Sequence, residues 1–265
     1  MIKLIVSDID GTLLEDGGHE LNPALFPVIL KLREQGVQFA AASGRQWVSI
    51  EKVFSPIKEK IFYLSDNGAY VGCHGRQLFV NSMNREQALM LVRDIQAEGL
   101  DAMVSGPDVI YLKRGQGAGG NSDLYHWLVD GYKFRIEEVD DLAQVQDDII
   151  KVSAYKPSGI EAATVRLRDK YQDQMKMTIS GDMWLDCMRQ GVNKGEAVKL
   201  LQESLGIQPT ETMVFGDQLN DMEMLQQAYY SFAIGNARSE IKAAARFEAD
   251  TCTRDGVLKI LQLLL

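Results

Sequence analysis

Short apolar runs alternate with stretches of helical spacing over the first third of the chain. Residues 2–7 form a largely apolar run that predicts a strand buried on both faces. Asn22-Pro23 then opens a helix, a capping residue ahead of proline at the first helical position, and Gly36 ends it. Residues 37–42 predict the next strand, 46–54 a helix and 61–64 a third strand.

The rhythm changes after residue 66. Asn67-Gly68 and His74-Gly75 bracket residues 69–73, and 76–80 follow, which predicts a hairpin. From 83 to 187 the pattern predicts a helix, strands, a glycine-rich loop and short helices, with strands at 149–155, 176–180 and 183–187. Regular strand–helix repetition is not visible there, so this segment is expected to be a separate α+β insert. The alternating style then returns. Asn193 opens a helix that Gly206 stops; strands follow at 212–215 and 229–234, and helices at 221–227, 238–246 and 256–265. The expected fold is α/β: a core with a parallel sheet built from 1–82 and 188–265, interrupted by a domain at 83–187.

Composition narrows the function. The chain has 265 residues, 46% hydrophobic and 25% charged, an ordinary globular balance with room for two modest domains. A net charge of -9 argues against nucleic acid as the main partner. Cys73, Cys187 and Cys252 are far apart and odd in number, which argues against a disulfide framework or a zinc site. The first apolar stretch is too short for a secretion signal, and no apolar run is long enough to span a bilayer, so no membrane association and a cytoplasmic location are expected.

The candidate chemistry sits at strand ends. Asp8-Ile9-Asp10-Gly11-Thr12 closes the first strand. Two apart in a strand, Asp8 and Asp10 are expected on one face at the carboxyl end, where open α/β sheets bind ligands. Such carboxylates repel unless a cation or shared proton intervenes; the plain alternative is a solvated loop. Ser43-Gly44-Arg45 closes the second strand and offers a hydroxyl and a backbone amide to a phosphoryl oxygen, or merely a helix cap. Lys194 falls in the first turn of a helix, where a cation opposes the helix dipole unless it neutralises an anion such as a phosphate. Gly216-Asp217-Gln218-Leu219-Asn220-Asp221 adds two carboxylates and an amide at a strand-to-helix turn, with Asp221 also readable as a cap.

In this order and at these places, the four motifs resemble those of the haloacid dehalogenase superfamily, and more closely its Cof-type subgroup of sugar and cofactor phosphatases. Asp66-Asn67-Gly68-Ala69, Gly235-Asn236-Ala237 and Asp255-Gly256-Val257 add to the likeness. It covers both ends of the chain; the middle is alike only in the length and position of its insert, a cap of the C2 type. One departure is that the helix after Asn236 runs into Arg246-Phe247-Glu248, a longer link to the final strand than is usual. The resemblance implies a Rossmann-like core with a cap, and a magnesium-dependent phosphatase acting on a small phosphorylated sugar or cofactor. It implies Asp8 as the nucleophile that forms an aspartyl-phosphate, and Asp10 as acid and base. Asp8, the backbone carbonyl of Asp10, and Asp217 would bind magnesium, with Asp221 holding a metal-bound water or orienting Lys194. Ser43, Lys194 and Asn220 would surround the transferring group, and Gly44, Arg45, Asn67 and Asn220 would face substrate. A monomer or small homo-oligomer is expected.

Two other functions share these features. A phosphosugar mutase would keep the nucleophile and exclude water. A receiver-like or idle magnesium-binding protein would keep the acidic site but needs no large insert. Gly115 to Gly120 matches the dinucleotide pattern G-x-G-x-x-G, with Glu137 about twenty residues on. The helix expected after it, 123–129, is too short for that unit, so a mobile loop of the insert is expected. No nucleotide P-loop or calcium loop is present in the sequence. His19, His74 and His126 lack metal spacing and are expected to be surface or packing residues, with contact to substrate from the insert as the alternative for His126.

Overall fold

The computed structural model describes residues 1–15, 18, 20–73, 76–115, 128, 134–180 and 182–265. These divide into two compact units, Met1–Phe79 with Asn193–Leu265, and Val80–Val192. In chain order the strands are β1 Leu4–Asp8, β2 Gln38–Ala42, β3 Phe62–Ser65, β4 Tyr70–Cys73 and β5 Arg76–Val80. Then come β6 Asp101–Ser105, β7 Ile110–Lys113, β8 Ile136–Val139, β9 Lys151–Tyr155, β10 Met175–Ser180 and β11 Trp184–Arg189. The last three are β12 Thr212–Gly216, β13 Tyr230–Ala233 and β14 Phe247–Glu248.

The first unit holds a sheet of order β14-β13-β12-β1-β2-β3-β4-β5. From β14 to β3 the pairs are parallel, and β4 runs antiparallel to β3. The chain starts in the middle at β1, moves out through β2 and β3, and returns on the other side through β12. That reversal leaves a crevice at the carboxyl ends of β1 and β12, the usual ligand position in such sheets. Successive strand residues point to opposite faces. Ile5, Phe39, Phe215 and Phe232 join one core with the helices Leu25–Glu34 and Gly256–Gln262. Leu4, Val6, Ala40, Val214 and Ala233 join the other with the helices Lys194–Leu205 and Met222–Gln226. Both faces of β1 are therefore covered, which is why its sequence reads as a near-continuous apolar run.

Local signals act as physics requires. The Asn193 side chain accepts the Glu196 N–H at 2.8 Å, and Gly206, left-handed at φ 66, ends that helix. Asn22 accepts the Ala24 N–H at 2.9 Å in the turn ahead of Leu25–Glu34. One reading changes. The helix expected over 238–246 is Ser239–Ala244, because Ala245 turns extended and the Arg246 N–H donates to the Ser231 carbonyl at 3.1 Å. Phe247–Glu248, read as part of a link, is itself the edge strand β14 beside β13.

The second unit is α+β. Its sheet has the order β10-β11-β9-β6-β7-β8, antiparallel except for β7 with β8. Ala102, Val104, Val152, Ala154 and Leu185 pack on one face with the helices Arg85–Ala97 and Val165–Tyr171. Met103, Leu112 and Tyr155 pack on the other with Leu128. Gly115 is left-handed at φ 85. His19, His126, the His74-Gly75 turn, the loop at 116–120 and all but Leu128 of the helix expected at 123–129 lie outside the described residues. No helix among the described residues is long and apolar enough to cross a membrane.

Candidate active site

Four adjacent parallel strands, β12, β1, β2 and β3, deliver Asp217, Asp8, Ser43 and Asp66 at or just past their carboxyl ends. All four residues are buried. Asp8 is the last residue of β1, so its carboxylate enters the crevice from the sheet itself. Lys194 comes from the first position of its helix with its side chain wholly buried. Its Nζ donates to Asp8 Oδ1 at 2.6 Å and to Asp221 Oδ1 at 2.7 Å. A buried ammonium so close to a helix N-terminus is tolerable because two carboxylates meet it. Asp221 serves twice: its other oxygen accepts the Asp217 and Gln218 N–H groups at 2.9 and 3.1 Å, reaching back over the turn before it, and it makes no side-chain cap bond to the helix Met222–Gln226.

Asp8, Asp217 and Asp221 form a buried acidic group, each offering one oxygen within 4.8 Å of the others. Burial pushes the Asp8 carboxyl well above its ordinary value; Asp221 and Asp217 add to the rise, and Lys194 opposes it. Burial alone would lower the Lys194 ammonium, but Asp221 and Asp8 outweigh that and hold it above its ordinary value. Asp8 Oδ2 is buried and meets no hydrogen-bond donor among the described residues. An orphaned carboxylate oxygen in a group of hard oxygen donors suits a divalent cation such as magnesium, so the residues present fit the metal that the resemblance implied.

Asp10 stands apart from this group. β1 ends at Asp8, so the strand geometry that would align the two side chains does not continue. Arg45 instead grips the Asp10 carboxylate with two bonds, Nε to Oδ2 at 2.9 Å and Nη2 to Oδ1 at 2.5 Å. The same guanidinium donates to the Gly18 carbonyl at 3.1 Å. Asp10, expected on one face with Asp8, is instead paired with a cation that the resemblance directed at substrate. No single-sequence signal links residues 10 and 45.

The loop after β1 is fitted to Asp217. Gly11 has φ 81, and a Cβ there would lie 2.2 Å from Asp217 Oδ2, so only glycine fits. The Thr12 hydroxyl donates to Asp217 Oδ1 at 2.9 Å, a contact that the motif contained without revealing its use. On the other flank, Asn220 Nδ2 donates to Asn67 Oδ1 at 3.0 Å. Asp66 and Asn67 both adopt left-handed backbone, at φ 47 and 53, an uncommon strain of the sort concentrated at functional sites. Gly44 lies beneath the Asn67 amide, which a Cβ would approach to 3.3 Å. Ser43 Oγ accepts the Arg45 N–H at 3.0 Å, and its carbonyl accepts the Asn67 N–H at 3.0 Å, tying the ends of β2 and β3 together.

Similarity to known proteins runs the length of the chain. The 5-amino-6-(5-phospho-D-ribitylamino)uracil phosphatase YbjI of Escherichia coli (strain K12) is 29% identical over 269 residues, covering 100% of this chain and 96% of the relative. The HMP-PP phosphatase of Serratia proteamaculans (strain 568) is 26% identical over 250 residues, covering 92% and 87%. A solved structure from Eubacterium rectale is 35% identical with a TM-score of 0.92, covering 100% of this chain and 99% of that one. The family model of haloacid dehalogenase-like hydrolases matches residues 5–261. With its Rossmann-like sheet, its inserted α+β unit and these relatives, the chain belongs to the haloacid dehalogenase-like hydrolases, as a Cof-type phosphatase of phosphoric monoesters.

Proposed function

We propose that the protein is a magnesium-dependent phosphatase that cleaves a small phosphorylated metabolite through an aspartyl-phosphate on Asp8. The observation that carries this reading is the buried trio of Asp8, Lys194 and Asp221, with Asp8 Oδ2 meeting no donor among the described residues. A nucleophilic carboxylate needs to be fixed in place beside positive charge, and Lys194 on Asp8 Oδ1 with a place for a cation at Oδ2 supplies both. Asp8, the Asp10 backbone carbonyl and Asp217 would hold the metal, with Asp221 beside them. Magnesium there would neutralise phosphoryl oxygens and relieve repulsion between the substrate and the acidic group.

Each remaining step belongs to the chain's own residues. The Asp8 carboxylate forms a bond to phosphorus as the bond to the leaving oxygen breaks, and Asp10 gives that oxygen its proton. Asp10 then accepts a proton from water as water attacks phosphorus, which frees phosphate and restores Asp8. Lys194, Ser43 and Asn220 supply positive charge and donors to the transferring group, where phosphoryl transfer draws most of its catalysis. For either role Asp10 has to exchange Arg45 for the substrate's leaving oxygen, which a bound substrate reaching Arg45 would promote.

The E. coli relative is named for a 5-phospho-D-ribitylamino compound and the Serratia relative for HMP-PP, which supports a small phosphorylated sugar or cofactor as substrate. The motif residues lie in the unit Met1–Phe79 with Asn193–Leu265, so we assign substrate selection to Val80–Val192. A cap of this kind would limit water and read the leaving group, with Gly191, at φ 86, as a hinge position. A phosphosugar mutase or a receiver-like protein fits less well, since the relatives carry phosphatase names and the family is one of hydrolases. The test is phosphate release from p-nitrophenyl phosphate and a panel of phosphorylated sugars and cofactors. Chelation should abolish turnover and magnesium should restore it; full activity after exhaustive chelation contradicts the proposal.

A further inference from the structure

We infer that Asn236 is a positioning residue for the metal site, acting by pinning the Asp10–Gly11–Thr12 turn against Asp217. The inference rests on the metal reading above. Asn236 is exposed, so core packing does not account for it. Its amide makes two bonds of opposite sense. Nδ2 donates to the Gly11 carbonyl at 2.7 Å, and Oδ1 accepts the Cys252 N–H at 3.0 Å. A carbonyl can only accept and a backbone N–H can only donate, so the amide is fixed in one orientation. A carboxylate or a methyl at this position cannot satisfy both.

The Gly11 carbonyl is a sensitive point to hold. The Gly11 Cα and the Thr12 hydroxyl form the surface on which the Asp217 carboxylate rests. The loop that carries Asn236 also grips Asp217 at the end of β12. The Arg238 N–H donates to the Asp217 carbonyl at 3.1 Å, and the Ile234 N–H donates to the Gly216 carbonyl at 3.2 Å. The Ala237 N–H closes the turn onto the Ile234 carbonyl at 2.7 Å. Residues 234–238 therefore clasp two loops that arrive from opposite ends of the sequence, one carrying Asp10 and the other Asp217. Backbone groups make the grip on Asp217, and the Asn236 side chain makes the grip on Gly11. Losing that side chain removes this tie on the turn after β1, which keeps its own backbone bonds and the Thr12 bond to Asp217, and leaves Asp217 held. Magnesium tolerates little error in the spacing of its oxygen ligands, so a loosened turn should lower its affinity.

The experiment is calorimetric titration of metal-free protein with magnesium. Wild type is compared with Asn236→Ala, Asn236→Asp and, as a control on the neighbouring helix, the exposed Glu240→Ala. Each variant's melting temperature in metal-free buffer accompanies the titration. Asn236→Ala should bind magnesium about 10–100-fold more weakly, the range expected when a partner behind a metal ligand is lost. Turnover should recover toward wild type at saturating magnesium, and Glu240→Ala should bind as wild type does. Asn236→Asp keeps the acceptor for Cys252 but loses the donor to Gly11. It should also bind more weakly, although its added negative charge would by itself attract the cation. Should Asn236→Ala fail to fold, Asn236→Asp decides alone. Folded variants that bind magnesium as tightly as wild type overturn the inference. Wild type that takes up no magnesium overturns the metal reading and this inference with it.

Discussion

Lys194 Nζ lies 2.6 Å from Asp8 Oδ1 although 186 residues separate the two in the chain. The contact closes the first unit across its insert, bringing the end of the first strand to the start of the helix after Asn193. Removing the ammonium would leave Asp8 and Asp221 buried against each other with no cation between them. Lys194→Met should lower the unfolding free energy in metal-free buffer by about 3–5 kcal/mol, the cost of stripping one partner from a buried ion pair. Magnesium, binding only the folded form, should recover part of that loss. Urea unfolding with and without magnesium measures both, and a variant as stable as wild type without metal would contradict the description.

The raised Asp8 carboxyl predicts how metal binding depends on pH. Burial, Asp221 and Asp217 lift it above the ordinary 3.8 more than Lys194 lowers it, so the metal-free site holds a proton at a pH where an exposed aspartate has lost one. Magnesium needs the carboxylate and must displace that proton. Affinity should therefore fall as pH drops below the raised value and level off above it. Calorimetry in buffers of different ionisation heat should show proton release in that window. Binding of magnesium with no proton release at any pH between the ordinary and raised values would contradict this.

Arg45 offers a choice between two roles. The family resemblance directed it to substrate, whereas its guanidinium grips Asp10 with two bonds. Lysine cannot reproduce that planar fork. If Arg45 sets the aim of Asp10, Arg45→Lys should lower kcat by about 10²-fold, the lower end of what general acid–base catalysis supplies. If it only binds substrate, KM should rise with kcat unchanged. Steady-state kinetics on one substrate separates the two.

What could be read from the chain, and what could not, follows from the range of each interaction. The Asn193 cap and the Gly206 stop are bonds within one turn of their own helix, so composition marks them. The apolar run of β1 announces a strand covered on both faces. The pairing of Asp10 with Arg45 was not legible because strand periodicity stops at Asp8, where the chain turns and Gly11 takes a left-handed angle. β14 escaped notice because it is two exposed residues long, too short for any alternation. The Asn236 bond to Gly11 joins residues 225 apart, and its motif is recognisable only as a resemblance until the sheet brings those residues together.

The most direct measurement is acid quench of the protein during turnover of p-nitrophenyl phosphate with magnesium, followed by mass spectrometry of the peptide that contains residue 8. A phosphoryl group should appear on Asp8, borohydride reduction of that acyl phosphate should convert Asp8 to homoserine, and Asp8→Asn should show neither adduct nor turnover. Turnover without any adduct at residue 8, together with an Asp8→Asn variant that retains near wild-type rate, would mean that water attacks phosphorus directly and that Asp8 is not the nucleophile.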